Sequence, residues 1–225
     1  TYGEALDAYR LPHASAFSVK VNGTSQPTPT AVVVDASAKT VTLTLAATVT
    51  DGQVVTLSYL EPLVRPDAAT MEPTPWLASG WAWRDSGLTL ELTLREDVAW
   101  HDGSPLSAED AAFSYTVYQS DGDSAVSGFF ALAEAFEATS DQVLAVRFRD
   151  LEANWLLNAA TLPVFSRAQY ANFWGAQSGA RSLSDFDSET NLPIGTGPWE
   201  FAGLTESEAS FVRAENYWQQ AAWAN

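Results

Sequence analysis

The amino-acid sequence changes character between Tyr59 and Leu63, and this change limits what the chain can fold into. Before it, short stretches alternate apolar and polar residues with a period of two, which is typical of half-buried β-strands. After it, strand and helix patterns are interleaved, which favours an α+β or α/β arrangement. A chain of 225 residues can hold one large domain or two small ones. We therefore predict two domains, residues 1–62 and residues 63–225.

The first segment reads as a series of short strands. In Val41 to Leu45, threonines alternate with apolar residues, and Asn22-Gly23 and Asp51-Gly52 supply residue types that accept the positive φ of hairpin turns. Valine and threonine dominate the alternating stretches, as a pleated surface prefers. Several short strands at this spacing predict a β-sandwich.

The order of these stretches adds a family resemblance. The pattern consists of Ala5-Leu6-Asp7, Ser15 to Val19, Val21-Asn22-Gly23, Val41 to Leu43, Val49 to Val55 and Ser58-Tyr59. In this order it resembles a SwmB-type bacterial Ig-like repeat over nearly all of the first segment. The resemblance implies an all-β Ig-like sandwich whose first strand would precede Tyr2. It also implies a spacer or adhesion module of a surface protein, without known chemistry.

The second segment carries six short motifs in a fixed order. They are Pro75-Trp76-Leu77-Ala78, Leu94-Arg95-Glu96, Trp100-His101-Asp102-Gly103, Ala108-Glu109-Asp110, Gly195-Thr196-Gly197-Pro198-Trp199 and Asn216-Tyr217-Trp218. In this order the series resembles the family 5 extracellular solute-binding proteins, the peptide and nickel class that serves ABC importers. The resemblance implies an incomplete periplasmic-binding-protein-like fold of α+β type. It would comprise the extra domain and the start of the first lobe, with the second lobe expected beyond Asn225.

Local patterns in the second segment predict its elements. Asp85-Ser86-Gly87 joins two strands of a hairpin that places Leu88, Leu90, Leu92 and Leu94 on one face. Ser107 and Asp110 form a capping box at the start of a helix. Further predictions are a helical or irregular stretch at residues 129–136, a strand at 142–148, short helices at 154–160 and 166–173, and paired strands at 199–201 and 209–213.

Composition narrows the classes of partner. The net charge is −17, so the chain should repel nucleic acid and anionic membrane surfaces. There is no cysteine, which excludes disulfides and thiol catalysis. No apolar run is long enough to span a membrane, and a signal peptide would have to precede Thr1.

Four motifs contain residues that could carry chemistry, but their sequence context favours a structural role. The residues of His101-Asp102-Gly103-Ser104 are adjacent in one turn, where a nucleophile and its base seldom face each other. Gly195-Thr196-Gly197 lacks the lysine of a phosphate loop. Asp121-Gly122-Asp123 and the acidic residues of Asp185 to Glu189 do not complete a calcium loop. We predict no enzyme activity, no catalytic residue, no metal site and no cofactor.

Candidate solute contacts come from the family resemblance. An aromatic residue near Phe129 and Phe130 would reach the ligand, and Val164 lies where nickel-chelate binders tend to place an arginine. Core packing is the competing interpretation for both phenylalanines. The tryptophans also permit a carbohydrate platform, although core packing is the better interpretation for them. They are Trp76, Trp81, Trp83, Trp100 and Trp155.

The resemblances imply an extracytoplasmic substrate-binding component of an ABC importer, present as a fragment and most suited to oligopeptides. Its partners would be a peptide or other small solute and the permease subunits. Two alternatives stay open. The chain could be an extracellular structural or adhesion protein with a non-binding remnant of the solute-binding fold, or the change near residue 60 could be an artificial join of two genes.

Overall fold

The structure is a computed structural model that describes residues 19–21, 24–25, 31–35, 40–44, 55–57, 60–67, 69–121, 126–176, 193–204 and 208–219. The chain divides into two compact units. Unit 1 comprises Thr1–Tyr59, His101–Gly103 and Ser184–Asn225, and unit 2 comprises Leu60–Trp100 and Ser104–Leu183. The boundary between residues 62 and 63 stays a prediction.

Thirteen strands and three α-helices are found among the described residues. The strands are β1 (Val19–Val21), β2 (Thr24–Ser25), β3 (Ala31–Asp35), β4 (Thr40–Thr44), β5 (Val55–Leu57), β6 (Val64–Pro66), β7 (Pro73–Pro75), β8 (Ala78–Arg84), β9 (Thr89–Leu94), β10 (Ala133–Ser140), β11 (Val143–Phe148), β12 (Trp199–Leu204) and β13 (Glu208–Arg213). The helices are α1 (Ala108–Ser120), α2 (Trp155–Asn158) and α3 (Arg167–Ala176).

Unit 2 is built on an antiparallel sheet of order β10-β11-β9-β8. Leu90, Leu92 and Leu94 of β9 are buried, which confirms the predicted alternation. Leu88 differs, because it belongs to the turn: its N–H donates to the Asp85 carbonyl over 3.2 Å and its side chain is exposed. The other face of β8 and β9 carries an Arg84–Glu91 ion pair.

Helix α1 begins as predicted. The Ser107 side chain accepts from the Asp110 N–H, and the Asp110 carboxylate accepts from the Ser107 N–H, so the capping box is complete. Strand β11 and helices α2 and α3 also lie close to their predicted positions. The prediction of helical or irregular structure at residues 129–136 is wrong from Ala133 onward, where β10 pairs with β11.

The strands of unit 1 that the structure describes form two antiparallel sheets. One has the order β2-β1-β5, and the other has the order β12-β13-β4-β3. The predicted pair of strands β12 and β13 is confirmed, with Phe201 opposite Phe211 and both rings buried. The second sheet therefore joins strands from the two ends of the chain. The Ig-like sandwich of residues 1–62 stays a prediction, and most of the pattern that carries it lies outside the described residues.

Candidate functional site

The three predicted solute contacts occupy different environments. Phe129 and Phe130 end a 3-10 turn, Ser127–Phe130. Phe129 is 41% exposed, whereas Phe130 is fully buried. The Phe130 ring stacks on Tyr118 with a centroid distance of 6.0 Å. Phe130 is therefore a core residue, and Phe129 is the one of the pair that a solute could reach in unit 2.

Val164 is fully buried. Its N–H donates to the Glu61 carbonyl over 2.9 Å, and the carbonyl of the preceding Pro163 accepts from the Tyr118 hydroxyl over 3.0 Å. Tyr118 thus links the Phe130 ring to the segment that holds Val164. Phe130 and the segment that holds Val164 therefore both lie beside Tyr118, while Phe129 lies at the surface. Solute contact by any of the three stays a prediction.

An aromatic cluster forms the centre of unit 2. Tyr115 of α1 meets Trp155 edge to face, with ring centroids 5.1 Å apart, and Phe130, Phe136 and Phe148 complete the cluster. Burial raises the pKa of the Tyr115 hydroxyl well above its ordinary value of 10.0, so the hydroxyl stays neutral. This cluster positions the 3-10 turn that carries Phe129.

The tryptophans that the structure describes in unit 2 differ in their exposure. Trp100 and Trp155 are buried, which confirms core packing for these two. Trp83 is 37% exposed and packs against Phe148 at a centroid distance of 5.8 Å. Trp76 is half-buried, with the Arg65 guanidinium 3.5 Å above the centre of its ring.

A buried carboxylate lies beside Trp76. Glu61 is 1% exposed, and its Oε1 atom accepts from the Trp76 indole N–H over 2.8 Å. Arg65 approaches the same oxygen at 3.5 Å. A buried carboxylate needs such partners because the loss of hydration is otherwise costly. Sequence reasoning missed this group. The spacing of Glu61 and Arg65 was visible, but nothing local showed that Trp76 would cover them.

His101 bridges the glycine motif of unit 1. Its Nδ1 atom accepts from the Gly195 N–H over 3.0 Å, and its Nε2–H donates to the Gly197 carbonyl over 2.9 Å. This pair of bonds requires the neutral ring with the proton on Nε2. Burial lowers the pKa of His101 below its ordinary value of 6.5, although Gly197, Glu200 and Asp102 act in the opposite direction. His101 and the two glycines are therefore structural, as the sequence predicted for this turn and for the Gly195-Thr196-Gly197 motif.

Asp110 joins three parts of unit 2. Its Oδ2 atom accepts from the Ser107 N–H and from the Trp100 indole N–H, at 3.0 and 3.3 Å. Its Oδ1 atom accepts from the Arg167 N–H over 2.8 Å. Asp110 is buried, so the start of α1, the Trp100 side chain and the start of α3 depend on one carboxylate. The predicted capping role was therefore correct but incomplete.

No candidate metal centre is found in the described part of the chain. No group of three or more His, Asp or Glu residues there is placed to hold a metal ion. The acidic residues of Asp185 to Glu189, with Gly122 and Asp123, lie outside the described residues. Across the described ranges, no helix has the length and apolar character needed to cross a membrane.

Comparisons with protein families match two parts of the chain. Residues 72–225 match the model of the bacterial extracellular solute-binding proteins, family 5 Middle. Residues 1–63 match the SWM repeat, described as "Putative flagellar system-associated repeat". Both resemblances read from the sequence motifs are thereby confirmed.

Two curated relatives are periplasmic binding proteins. The nickel-binding periplasmic protein of Escherichia coli (strain K12) is 31% identical over 172 residues, covering 70% of this chain and 29% of the relative. The periplasmic alpha-galactoside-binding protein of Rhizobium meliloti (strain 1021) is 40% identical over 57 residues, covering 25% of this chain and 8% of the relative. The chain thus spans less than a third of either relative.

Solved structures share the fold. NikZ from Campylobacter jejuni, in complex with Ni(L-His), superimposes with a TM-score of 0.59 at 24% identity, over 71% of this chain and 30% of that protein. The oligopeptide-binding protein AppA from Bacillus subtilis, in complex with a nonapeptide, gives a TM-score of 0.62 at 20% identity, over 72% of this chain and 32% of that protein. These matches establish part of a periplasmic-binding-protein-like fold.

Proposed function

Because this chain belongs to the bacterial extracellular solute-binding proteins of family 5, we propose that it serves as the substrate-binding component of an ABC importer for oligopeptides. The relatives are binding proteins and not enzymes. The observation that carries the proposal is the family match over residues 72–225, together with a fold similar to that of the nonapeptide-bound AppA. Its partners would be a peptide and the permease subunits of the importer.

The environment of Val164 supports a peptide over a nickel chelate. An arginine at this position would offer a cation to the carboxylates of a chelate, whereas Val164 is uncharged and fully buried. Nickel is the principal competing solute, because the Escherichia coli relative and NikZ are both named for it.

Phe129 is the solute contact that we favour within the described residues. An exposed aromatic ring on a turn backed by a rigid core gives a large contact area at low cost in conformational entropy. Phe129 has this character, because the adjacent Phe130 is locked in the aromatic cluster. An extracytoplasmic location follows the periplasmic names of the relatives and is part of the proposal.

Thermal unfolding of the complete natural polypeptide tests the proposal. It would be followed with a mixed oligopeptide library, with Ni(L-His) and without addition. A solute that binds the folded state at 100 times its Kd adds about 2.7 kcal/mol to the free energy of unfolding. We expect a rise in Tm with peptides and none with the nickel chelate. A rise in Tm with the chelate alone would indicate that the solute is a nickel chelate and not a peptide. No rise under any of these conditions would contradict the binding role.

Two matched variants then test the contact. Phe129→Ala should weaken peptide binding at least tenfold while leaving the Tm of the free protein nearly unchanged. Leu157→Ala serves as the control, because Leu157 is also a partly exposed apolar residue of unit 2, at 38% exposure. If the two variants bind peptide with equal affinity, Phe129 does not contact the solute.

A structural or adhesive role is the second candidate. It is favoured by the match of residues 1–63 to the SWM repeat, which we propose to form an Ig-like sandwich spanning residues 1–62. This role predicts attachment of the natural polypeptide to a cell surface and no solute-dependent rise in Tm. The same unfolding experiment therefore separates the two candidates.

A further inference from the structure

The sheet β12-β13-β4-β3 contains strands from both of the segments that match a protein family. Strand β4 lies within residues 1–63, which match the SWM repeat, and β13 lies within residues 72–225, which match the solute-binding family. The two strands are nevertheless antiparallel neighbours in one sheet of unit 1. Two segments of different family origin thus share one hydrogen-bonded ladder.

In the register of β4 and β13, most residues lie opposite a residue of similar polarity. The paired positions are Thr44 with Glu208, Leu43 with Ala209, Thr42 with Ser210, Val41 with Phe211 and Thr40 with Val212. Apolar positions of β4 stand opposite apolar positions of β13, and two of the three threonines stand opposite polar residues. A slip of one residue in either direction would place Leu43 opposite a polar residue, Glu208 or Ser210, so the observed register is the one that the sequence favours.

The same pattern continues into the outer strands. Val32 and Val34 of β3 pair with Leu43 and Val41, and Phe201 of β12 pairs with Phe211. One row of positions across all four strands is therefore Val34, Val41, Phe211 and Phe201. Phe201 and Phe211 are buried, with ring centroids 5.5 Å apart. Such an apolar row is typical of a sheet that shares one core.

Without β4, strand β13 would have an open edge on the side opposite β12. An open strand edge presents unpaired N–H and C=O groups and invites pairing with another chain. Addition of a strand satisfies these groups through main-chain hydrogen bonds, and alternate side chains set the register. In this chain, β4 fills that position, and β3 becomes the outer strand.

We propose that the SWM-repeat segment is a strand donor that completes the sheet of the solute-binding segment, so that the hairpin β3–β4 is an integral part of this fold. The segment then acts on its own chain, in contrast to a spacer that folds apart from its neighbour. This assignment does not depend on the solute or on transport. It explains why unit 1 contains residues from both the repeat match and the solute-binding match.

Disulfide trapping tests the pairing in the full chain, which contains no cysteine of its own. Thr42→Cys and Ser210→Cys would be introduced together, because these residues are directly opposite in the register. Val33→Cys with Ser210→Cys is the control. Val33 pairs with Thr42 on its other side, so it lies two strands from Ser210, about 9–10 Å away and beyond the reach of a disulfide.

We expect the first pair to oxidise within one polypeptide and the control pair to remain reduced. The linked peptide would be identified by mass spectrometry of the monomer fraction. Cross-linking of the control, or cross-links of the first pair between two polypeptides only, would overturn the proposal. So would a first pair that stays reduced in folded protein.

Hydrogen exchange provides a second readout that does not need a cross-link. Thr42→Pro removes a backbone N–H from the middle of β4. Amides of residues 208–213 should then exchange at least tenfold faster, while amides of β9 in unit 2 keep their protection and show that the chain is still folded. Unchanged exchange at residues 208–213 would overturn the proposal.

Discussion

The hydroxyls of Tyr115 and Tyr118 lie on the same helix but differ in their hydrogen bonding. Tyr118 donates to the Pro163 carbonyl over 3.0 Å. The Tyr115 hydroxyl is buried and has no hydrogen-bond partner among the residues that the structure describes. The two residues therefore form a matched pair in which one polar atom stabilises the fold and the other costs free energy.

Removal of each hydroxyl should have opposite effects on stability. Tyr118→Phe leaves the Pro163 carbonyl without its donor and should lower the free energy of unfolding by about 1–2 kcal/mol. Tyr115→Phe removes a buried polar atom that has no partner and should be neutral or raise stability by up to about 1 kcal/mol. Urea unfolding of the two variants, followed by tryptophan fluorescence, measures both changes. Equal losses in the two variants would show that Tyr115 also has a hydrogen-bond partner in solution.

Asp110 should be among the most sensitive polar positions of unit 2. Asp110→Ala removes one half of the capping box, because the Ser107 N–H loses its acceptor. It also leaves the Trp100 indole N–H and the Arg167 N–H without this acceptor. We expect a loss of about 3 kcal/mol, of which less than about 1 kcal/mol comes from the lost half of the capping box and the rest from the buried donors. Chemical unfolding checks the value.

The neighbouring Glu109 supplies the control for Asp110. Its carboxylate is 64% exposed and forms an ion pair with the Arg167 guanidinium at 3.3 Å. Exposed pairs of this kind contribute less than about 1 kcal/mol. Glu109→Ala should therefore be mild. A comparable loss at both positions would mean that general helix propensity, and not the buried hydrogen bonds, determines the effect.

The bridge of His101 to the glycine motif should make stability depend on pH. Because burial lowers the pKa of His101 in the fold, the unfolded chain binds its proton first as the pH falls. The stabilising contribution is full above the ordinary pKa of 6.5 and is lost as the pH falls below it, toward the lower folded pKa. Protonation would also turn Nδ1 into a donor that faces the Gly195 N–H.

Unfolding curves between about pH 5 and 8 measure this dependence. His101→Gln should be less stable at neutral pH and should show a flatter profile across this interval. His13→Gln controls for the only other histidine of the chain and should keep the original slope. A profile that stays steep in His101→Gln would assign the pH dependence to other groups.

Local patterns predicted the elements that are fixed by neighbours in sequence. The turn Asp85-Ser86-Gly87, the capping box of Ser107 and Asp110, and the strand predicted at residues 142–148 all depend on short-range geometry. Strand β10 was missed because its sequence, Ala133 to Ser140, is rich in alanine and glutamate, which prefer helices. Pairing with β11 overrides that preference.

Long-range relationships had no local signature. Nothing in the alternation of Thr40–Thr44 indicated that its neighbour would be β13, because the period of a strand shows its faces and not its partner. For the same reason, the burial of Glu61 under Trp76 could not be read from either residue alone. The resemblance to a solute-binding family predicted a solute contact near Phe129 and Phe130. The structure shows that Phe129 is exposed and Phe130 is buried.

The turn between β8 and β9 gives a final test, at Gly87. Asp85, Ser86 and Gly87 all have positive φ, and Gly87 has the largest value, 94°. A Cβ atom at Gly87 would also approach Leu151 Cδ2 at 2.9 Å, but this atom ends a side chain that is 65% exposed and can move. Backbone strain should therefore dominate, and Gly87→Ala should cost about 1–2 kcal/mol.

Asparagine tolerates positive φ better than alanine, so Gly87→Asn should cost clearly less than Gly87→Ala, although both carry the same Cβ. Leu151→Ala in the Gly87→Ala background measures the steric part and should recover little stability. Thermal unfolding of the three variants separates the two causes. If Asn costs as much as Ala and Leu151→Ala restores the loss, close packing against Leu151 would be the reason that this turn requires glycine.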